Sequence, residues 1–307
     1  MSKKLKGKVK VVWESKTKQK PSVNTHISYS SFSTFNKCPK LWELQYLRNQ
    51  VPFTQSIYTC FGTAMHETVQ KWLEVMYMES VKKSEELDLK LLLQENITKS
   101  YKAGKAINGH DHFSSPEELK QFWLDGIEIL DYLKKNRTKY FSSKTMVLSG
   151  IETLLYYPIK KNVVFKGLID LVFYHPNSDT WTIMDIKTST RGWDAKAKKN
   201  PNLSAQVILY KEFFSRQFDI PTENINVEYF ILKRITPKEP IYPAQSSKVQ
   251  TFNPFGSSSG KNKTKAVLTG LDVFIDTVVD ENGSYIDQSY KCKNPLGSCP
   301  DCRPFVK

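Results

Sequence analysis

The sequence predicts a mixed α/β protein in which a helical lobe precedes a strand-rich core and a short cysteine-rich tail follows it. Three observations predict this. Apolar residues recur at helical spacing through the first 140 positions. β-Branched and aromatic residues concentrate at 146–187 and again at 225–235. Three of the five cysteines, Cys292, Cys299 and Cys302, crowd the last sixteen residues.

Local signals place the elements in order. Ser30 and Ser31 are candidate caps for a short helix bearing Phe32 and Phe35, and Pro39 opens a second through Leu41, Trp42 and Tyr46. From 58 to 79, Phe61, Met65, Val69, Trp72 and Met76 share one helical face, and a further helix is expected over 84–101. Ser115-Pro116-Glu117-Glu118 reads as a capping box opening a helix with Leu119, Phe122, Trp123, Ile127 and Leu130. Strands are expected at 146–159, 163–174 and 180–187, the last two joined by the turn residues His175 to Asp179. A helix over 203–217 and a strand over 225–235 complete the core, so its order is three strands, a helix and a strand. The expected organisation is a basic flexible tail (1–27), a helical lobe (28–140), the core (141–236), a flexible loop (237–265) and a C-terminal helix, starting near 266, with the cysteine cluster (266–307).

Forty-five basic against 31 acidic residues give a net charge of +14, which favours a polyanionic partner, either nucleic acid or an anionic membrane surface. Part of the excess is local, because lysines from Lys3 to Lys20 crowd the first twenty positions, the composition of a solvated tail. No apolar run approaches the ~18 residues of a membrane span, and the charged start lacks the apolar stretch of a secretory signal, so a cytoplasmic protein is expected. Five cysteines in such a chain are not a disulfide framework; their clustering points to a metal site.

The chemistry concentrates on Asp185-Ile186-Lys187. Strand alternation sends Asp185 and Lys187 to one face, while Ile186 can bury its side chain and still offer its backbone carbonyl. Gly167-Leu168-Ile169-Asp170 lies on the neighbouring strand, so Asp170 can approach Asp185. Two close carboxylates repel unless a cation lies between them, and hard oxygen ligands suit Mg²⁺ or Mn²⁺. Such an ion polarises a phosphodiester and acidifies a bound water, and Lys187 can orient that water or stabilise phosphoryl charge. An Asp-x-Lys on a strand is more often a surface ion pair; the apolar strand and the second aspartate weigh against that here.

With Ser30-Ser31-Phe32, Cys38-Pro39, Phe61-Gly62-Thr63-Ala64-Met65-His66 and Gln206-Val207-Ile208-Leu209-Tyr210 flanking these motifs in order, the chain resembles the PD-(D/E)XK nucleases. The likeness is to their RecB-like branch, including the iron–sulfur nucleases of CRISPR adaptation and the AddB type, and covers roughly 28–302. It implies a restriction-endonuclease-like core and His66 as a metal ligand beside Asp170, Asp185 and the Ile186 carbonyl. It also implies Gln206 and Tyr210 flanking the site, where they help to position the lysine or DNA, and Glu152 as a possible accessory acid. Cys38, Cys292, Cys299 and Cys302 would bind a 4Fe–4S cluster, with Zn²⁺ the alternative, because the short and long gaps between the last three are in reversed order. Cys60 is left as a packed thiol.

The leading expectation is a metal-dependent DNA exonuclease or end-processing enzyme of recombination, repair or replication, in a bacterial or phage-infected cell. Its DNA would be single-stranded or have free ends, with recombination or replication proteins as possible partners. The alternatives are a non-catalytic nucleic-acid-binding module with a structural metal cluster and a spacer-trimming endonuclease.

Overall fold

The computed structural model describes residues 9, 12–13, 25–51, 54–241, 245–255, 260–294, 299–300 and 302–303. The lysine-rich part of the expected tail lies outside these residues. Val9 and Val12, which the same expectation covered, are buried against the core, because apolar side chains amid the charge find a hydrophobic surface.

The elements described over their full length open with strand β1 (Thr25–Ile27) and helices α1 (Tyr29–Lys37) and α2 (Pro39–Trp42), the latter running into a π-helical turn, Glu43–Leu47. Ser28 caps α1, its hydroxyl accepting the Ser31 N–H at 3.2 Å, so the cap precedes the serines that the sequence pattern suggested. The lobe continues as α3 (Ile57–Met78), α4 (Val81–Glu86), α5 (Leu89–Ile107), α6 (Pro116–Lys135) and α7 (Arg137–Tyr140). The single helix expected over 84–101 is two, because Asp88 caps a new one with its carboxylate on the Lys90 and Leu91 N–H groups. At α6 the Ser115 hydroxyl accepts the Glu118 N–H as expected, while the Glu118 carboxylate takes the Ser114 hydroxyl.

The core follows as β2 (Val147–Pro158), β3 (Val163–His175), β4 (Thr180–Ser189), α8 (Ala195–Lys199), α9 (Pro201–Phe218) and β5 (Ile225–Lys233). A further strand, β6 (Val249–Phe252), lies inside the region expected to be loop. Its four residues are too few for the composition to signal; antiparallel pairing with β5 at 229–232 makes it a strand. Helix α10 (Gly260–Val278) starts several residues before the expected boundary, with hydrophilic residues supplying its first turns.

Among the described residues the strands form one six-stranded sheet. β4 and β5 run parallel through the α8–α9 crossover, and β2 pairs antiparallel along nearly all of β3. The other edge of β3 is shared. Residues 163–165 pair with β1 and residues 171–175 with β4, so residues 166–170 face a gap between the two partners.

Each face of the sheet buries its own core. Under α9, α1 and α10, Phe165, Ile183, Phe213 and Phe274 pack together; under α3, α5 and α6, Met65, Leu171, Met184 and Phe230 do. Trp42 is fully buried, with Phe35, Tyr46, Phe274, Tyr285 and Tyr290 at ring-centroid distances of 5.3–6.3 Å, fastening the first helices to the end of the chain. Among the described residues no helix is long and apolar enough to cross a membrane.

Candidate active site

The sheet delivers its two aspartates to the gap. On β4, Trp181 and Ile183 pack under α9 while Met184 and Ile186 pack under α3, so alternation turns Asp185 and Lys187 towards α9. β3 and β4 pair in register up to Leu171↔Met184, and Asp170 and Asp185 are the next residues on each strand. They share a face, and there the strands part: the Asp170 carboxylate, through Oδ2, accepts the Ile186 N–H at 2.7 Å.

Lys187 reaches back along its own strand to Asp185, Nζ to Oδ2 at 2.7 Å, and donates to Gln206 Oε1 at 3.1 Å. The Gln206 amide donates in turn to the Tyr210 hydroxyl at 3.1 Å, one turn along α9. From the other side α3 presents His66, whose Nδ1 lies 3.5 Å from Asp170 Oδ2 and which hydrogen-bonds the Ile186 backbone. Helix α3 comes this close to β4 because Gly62 has no side chain: a Cβ there would stand 3.3 Å from Thr188 Oγ1. Gly167 does the same for α9, since its Cβ would meet the Tyr210 ring at 2.8 Å.

The electrostatics are those of crowded acids. Burial, reinforced by Asp185, holds the Asp170 carboxyl well above the usual carboxylate range. Burial works against the Lys187 ammonium, yet Asp185 and Asp170 outweigh it and keep the lysine firmly charged. Burial lowers His66 to about 4, leaving a neutral imidazole at physiological pH, and raises Tyr210 to about 12. Asp185 is 1 % exposed, and the Lys187 ammonium is the close partner of its Oδ2.

That donor set fits a hard divalent cation by its chemistry: two buried carboxylates of one face, a neutral imidazole and the Ile186 carbonyl. Among the described residues these atoms are not gathered as tightly as the cysteine sulfurs, because Lys187 draws Asp185 and the Ile186 N–H draws Asp170.

The cysteine group is compact. Cys38 and Cys292 sulfurs are 3.7 Å apart, Cys302 is 3.6 Å from both Cys292 and Cys299, and all four lie within 4.8 Å of one another. Cys38 also caps α2, its sulfur taking the Leu41 N–H. Burial raises the Cys38 thiol to about 12. Cys60 stands apart, buried near the Ile97 carbonyl in the helical lobe.

Two groups escaped the sequence reading. Gln70, one turn after His66 on α3, donates to Glu152 Oε1 at 2.7 Å and to the Asp170 carbonyl at 3.2 Å. The four-residue spacing from His66 was the available signal. Tyr29 donates to the Asn202 carbonyl at 2.7 Å and lies within electrostatic reach of Asp185 and Lys187. A single tyrosine near a helix start gave no sequence signal.

Residues 26–299 match the family model described as the PD-(D/E)XK nuclease superfamily. The chain belongs to that superfamily. Its fold is similar to that of a crystal structure from Eubacterium rectale carrying a provisional exonuclease designation. The TM-score is 0.52 at 12 % identity, over 92 % of this chain and 88 % of that one. The crystal structure of SSO0001 aligns at 15 % identity over 80 % of this chain and 85 % of its own, with a TM-score of 0.27, too slight to carry an argument. No curated protein sequence matches.

Proposed function

We propose that this nuclease is a divalent-metal-dependent deoxyribonuclease that works from DNA ends, with Asp170, Asp185 and Lys187 at its centre. The observation that carries the reading is the pair of buried aspartates meeting where β3 and β4 part, with a charged lysine 2.7 Å from one of them. Asp170, Asp185, His66 and the Ile186 carbonyl would hold Mg²⁺ or Mn²⁺. When bound, the cation supplies Lewis acidity at the phosphodiester and a water of lowered pKa. Lys187, fixed between Asp185 and Gln206, orients the attacking water and meets charge developing on the phosphoryl oxygens. Tyr210 keeps Gln206 facing the lysine. Glu152 adds a further acid at the margin of the site.

A DNA substrate suits the surface around α9. Lys198, Lys199 and Lys263 line a groove between α1, α9 and α10, and Lys196, Lys261 and Lys265 stand exposed beside it. Binding there should weaken steeply with salt as phosphate contacts displace counterions. The same superfamily chemistry serves recombination, repair and replication, and we place the protein among those processes.

The test is digestion of end-labelled linear DNA, single- and double-stranded, beside covalently closed circles, with Mg²⁺, Mn²⁺ or chelator. Linear DNA should be degraded only with metal, and circles should persist. Circles cut as fast as linear DNA would remove the end dependence; no hydrolysis of any DNA or RNA would remove the function.

Gly167→Ala probes the positioning on α9. Its methyl would displace the buried Tyr210 ring and through it Gln206 and Lys187. Turnover should fall by up to about 100-fold, the scale of a displacement near 1 Å in a catalytic group, with the far-ultraviolet dichroism retained. Unaltered turnover would mean that Tyr210 has no part in positioning Lys187.

A further inference from the structure

Glu152 sits in the middle of β2 with a backbone φ of +50°. For a residue with a side chain the left-handed region is strained, and inside a strand it also interrupts the pleat. The effect on β2 and β3 is visible in their packing. Ile169 and Leu171 share a parity and should face the same side, yet Ile169 packs under α9 and Leu171 under α3. Ile151 and Leu155 divide in the same way. The pairs Ile151↔Leu171 and Thr153↔Ile169 close on either side, so the residues at the reversal are Glu152 and, opposite it, Asp170.

The side chain that spans both is Gln70. It is 7 % exposed, and its single amide nitrogen donates to the Glu152 carboxylate at 2.7 Å and to the Asp170 main-chain carbonyl at 3.2 Å. His66, four residues earlier on the same face of α3, approaches the Asp170 carboxylate. One helix face therefore addresses three points of the acidic cluster. A carboxylate on a strained backbone needs an external hold to keep one orientation, and here a neutral donor supplies it without cancelling the negative charge that a cation requires.

We infer that Gln70 is a positioning residue of the metal site, fixing the Glu152 carboxylate and the Asp170 backbone together so that Glu152 faces the cation held by Asp170 and Asp185. The inference rests on the metal-dependent reading above. A glutamate at position 70 would repel Glu152, and a residue of similar volume without a donor would release it.

The experiment compares wild type, Gln70→Met, Glu152→Ala and the double variant by calorimetric Mn²⁺ titration, which needs no turnover, and by thermal melting in chelator. Gln70→Met should weaken Mn²⁺ binding about 10–100-fold, the usual cost of losing a group that orients a metal ligand. In the Glu152→Ala background the same change should cost little, because the group that Gln70 holds is already gone. Their melting shifts should likewise sum to more than the double variant's. Mn²⁺ binding by Gln70→Met equal to wild type, or strictly additive effects, would reduce Gln70 to a packing residue. Should the wild type take up no Mn²⁺, the metal reading itself fails. The melting cycle then decides the link alone: coupled shifts keep Gln70 as the hold on Glu152, and additive ones overturn it.

Discussion

Asp170→Asn is expected to melt at a higher temperature than the wild type in chelator while losing hydrolysis by on the order of 10³-fold. Both halves come from one arrangement. Asp170 is buried beside Asp185, and its carboxyl is held above the usual range first by that burial and then by the neighbouring charge. A carboxyl whose folded pKa is raised contributes stability that is complete below its unfolded value near 4 and is lost as pH rises through the folded value. At neutral pH the wild type without metal therefore carries a penalty, about 1.4 kcal/mol for each pH unit of that elevation. Asparagine removes the charge and keeps an oxygen for the Ile186 N–H. A gain of 1–2 kcal/mol corresponds to roughly 2–3 °C in a chain of this size. Melting curves of the two proteins should converge in acid and separate towards neutrality. Added Mn²⁺ should raise the wild-type midpoint and leave the variant where it was, since a ligand stabilises only the state that binds it. A variant that melts below the wild type in chelator at pH 7 would mean that the carboxylates are not in conflict.

How much of this was legible beforehand depended on range. The Asp185-x-Lys187 strand announced itself through an apolar run with two polar residues of one parity, and the hairpin turn before it carried Asp170 to the neighbouring strand. His66 and the Gln206–Tyr210 pair were placed by resemblance, and each now lies within hydrogen-bonding or ion-pair reach of the aspartates or Lys187. What was hidden was non-local. The hold of Gln70 on Glu152 joins positions 82 residues apart, and the helical spacing of Gln70 from His66 does not say which group it holds. Glu152's left-handed backbone has no residue signature, because glutamate is among the residues least expected there. Strand β6 exists only through its pairing with β5, and the parting of β3 from β4 follows from β1 occupying the other half of an edge.

The second large effect lies at the cysteines. Cys38→Ser should lower the melting temperature by roughly 8 °C while hydrolysis at low temperature falls only modestly. Cys38 and Cys292 are 254 residues apart in sequence, so an ion held between them closes nearly the whole chain. A link across a loop that long removes on the order of 5 kcal/mol of unfolded-chain entropy, which sets the size of the shift. The part of the fold that should loosen is the junction the sulfurs adjoin. There Trp42 sits in its aromatic box, and the Glu43 carboxylate accepts the Tyr290 N–H at 2.8 Å. Four thiolates suit either a zinc ion or a 4Fe–4S cluster, and metal analysis with an absorbance spectrum tells them apart: one zinc per chain in a colourless protein, or iron and sulfide in a brown one. Either occupant keeps the clasp. Cys38→Ser melting with the wild type would show that no ion joins the two ends.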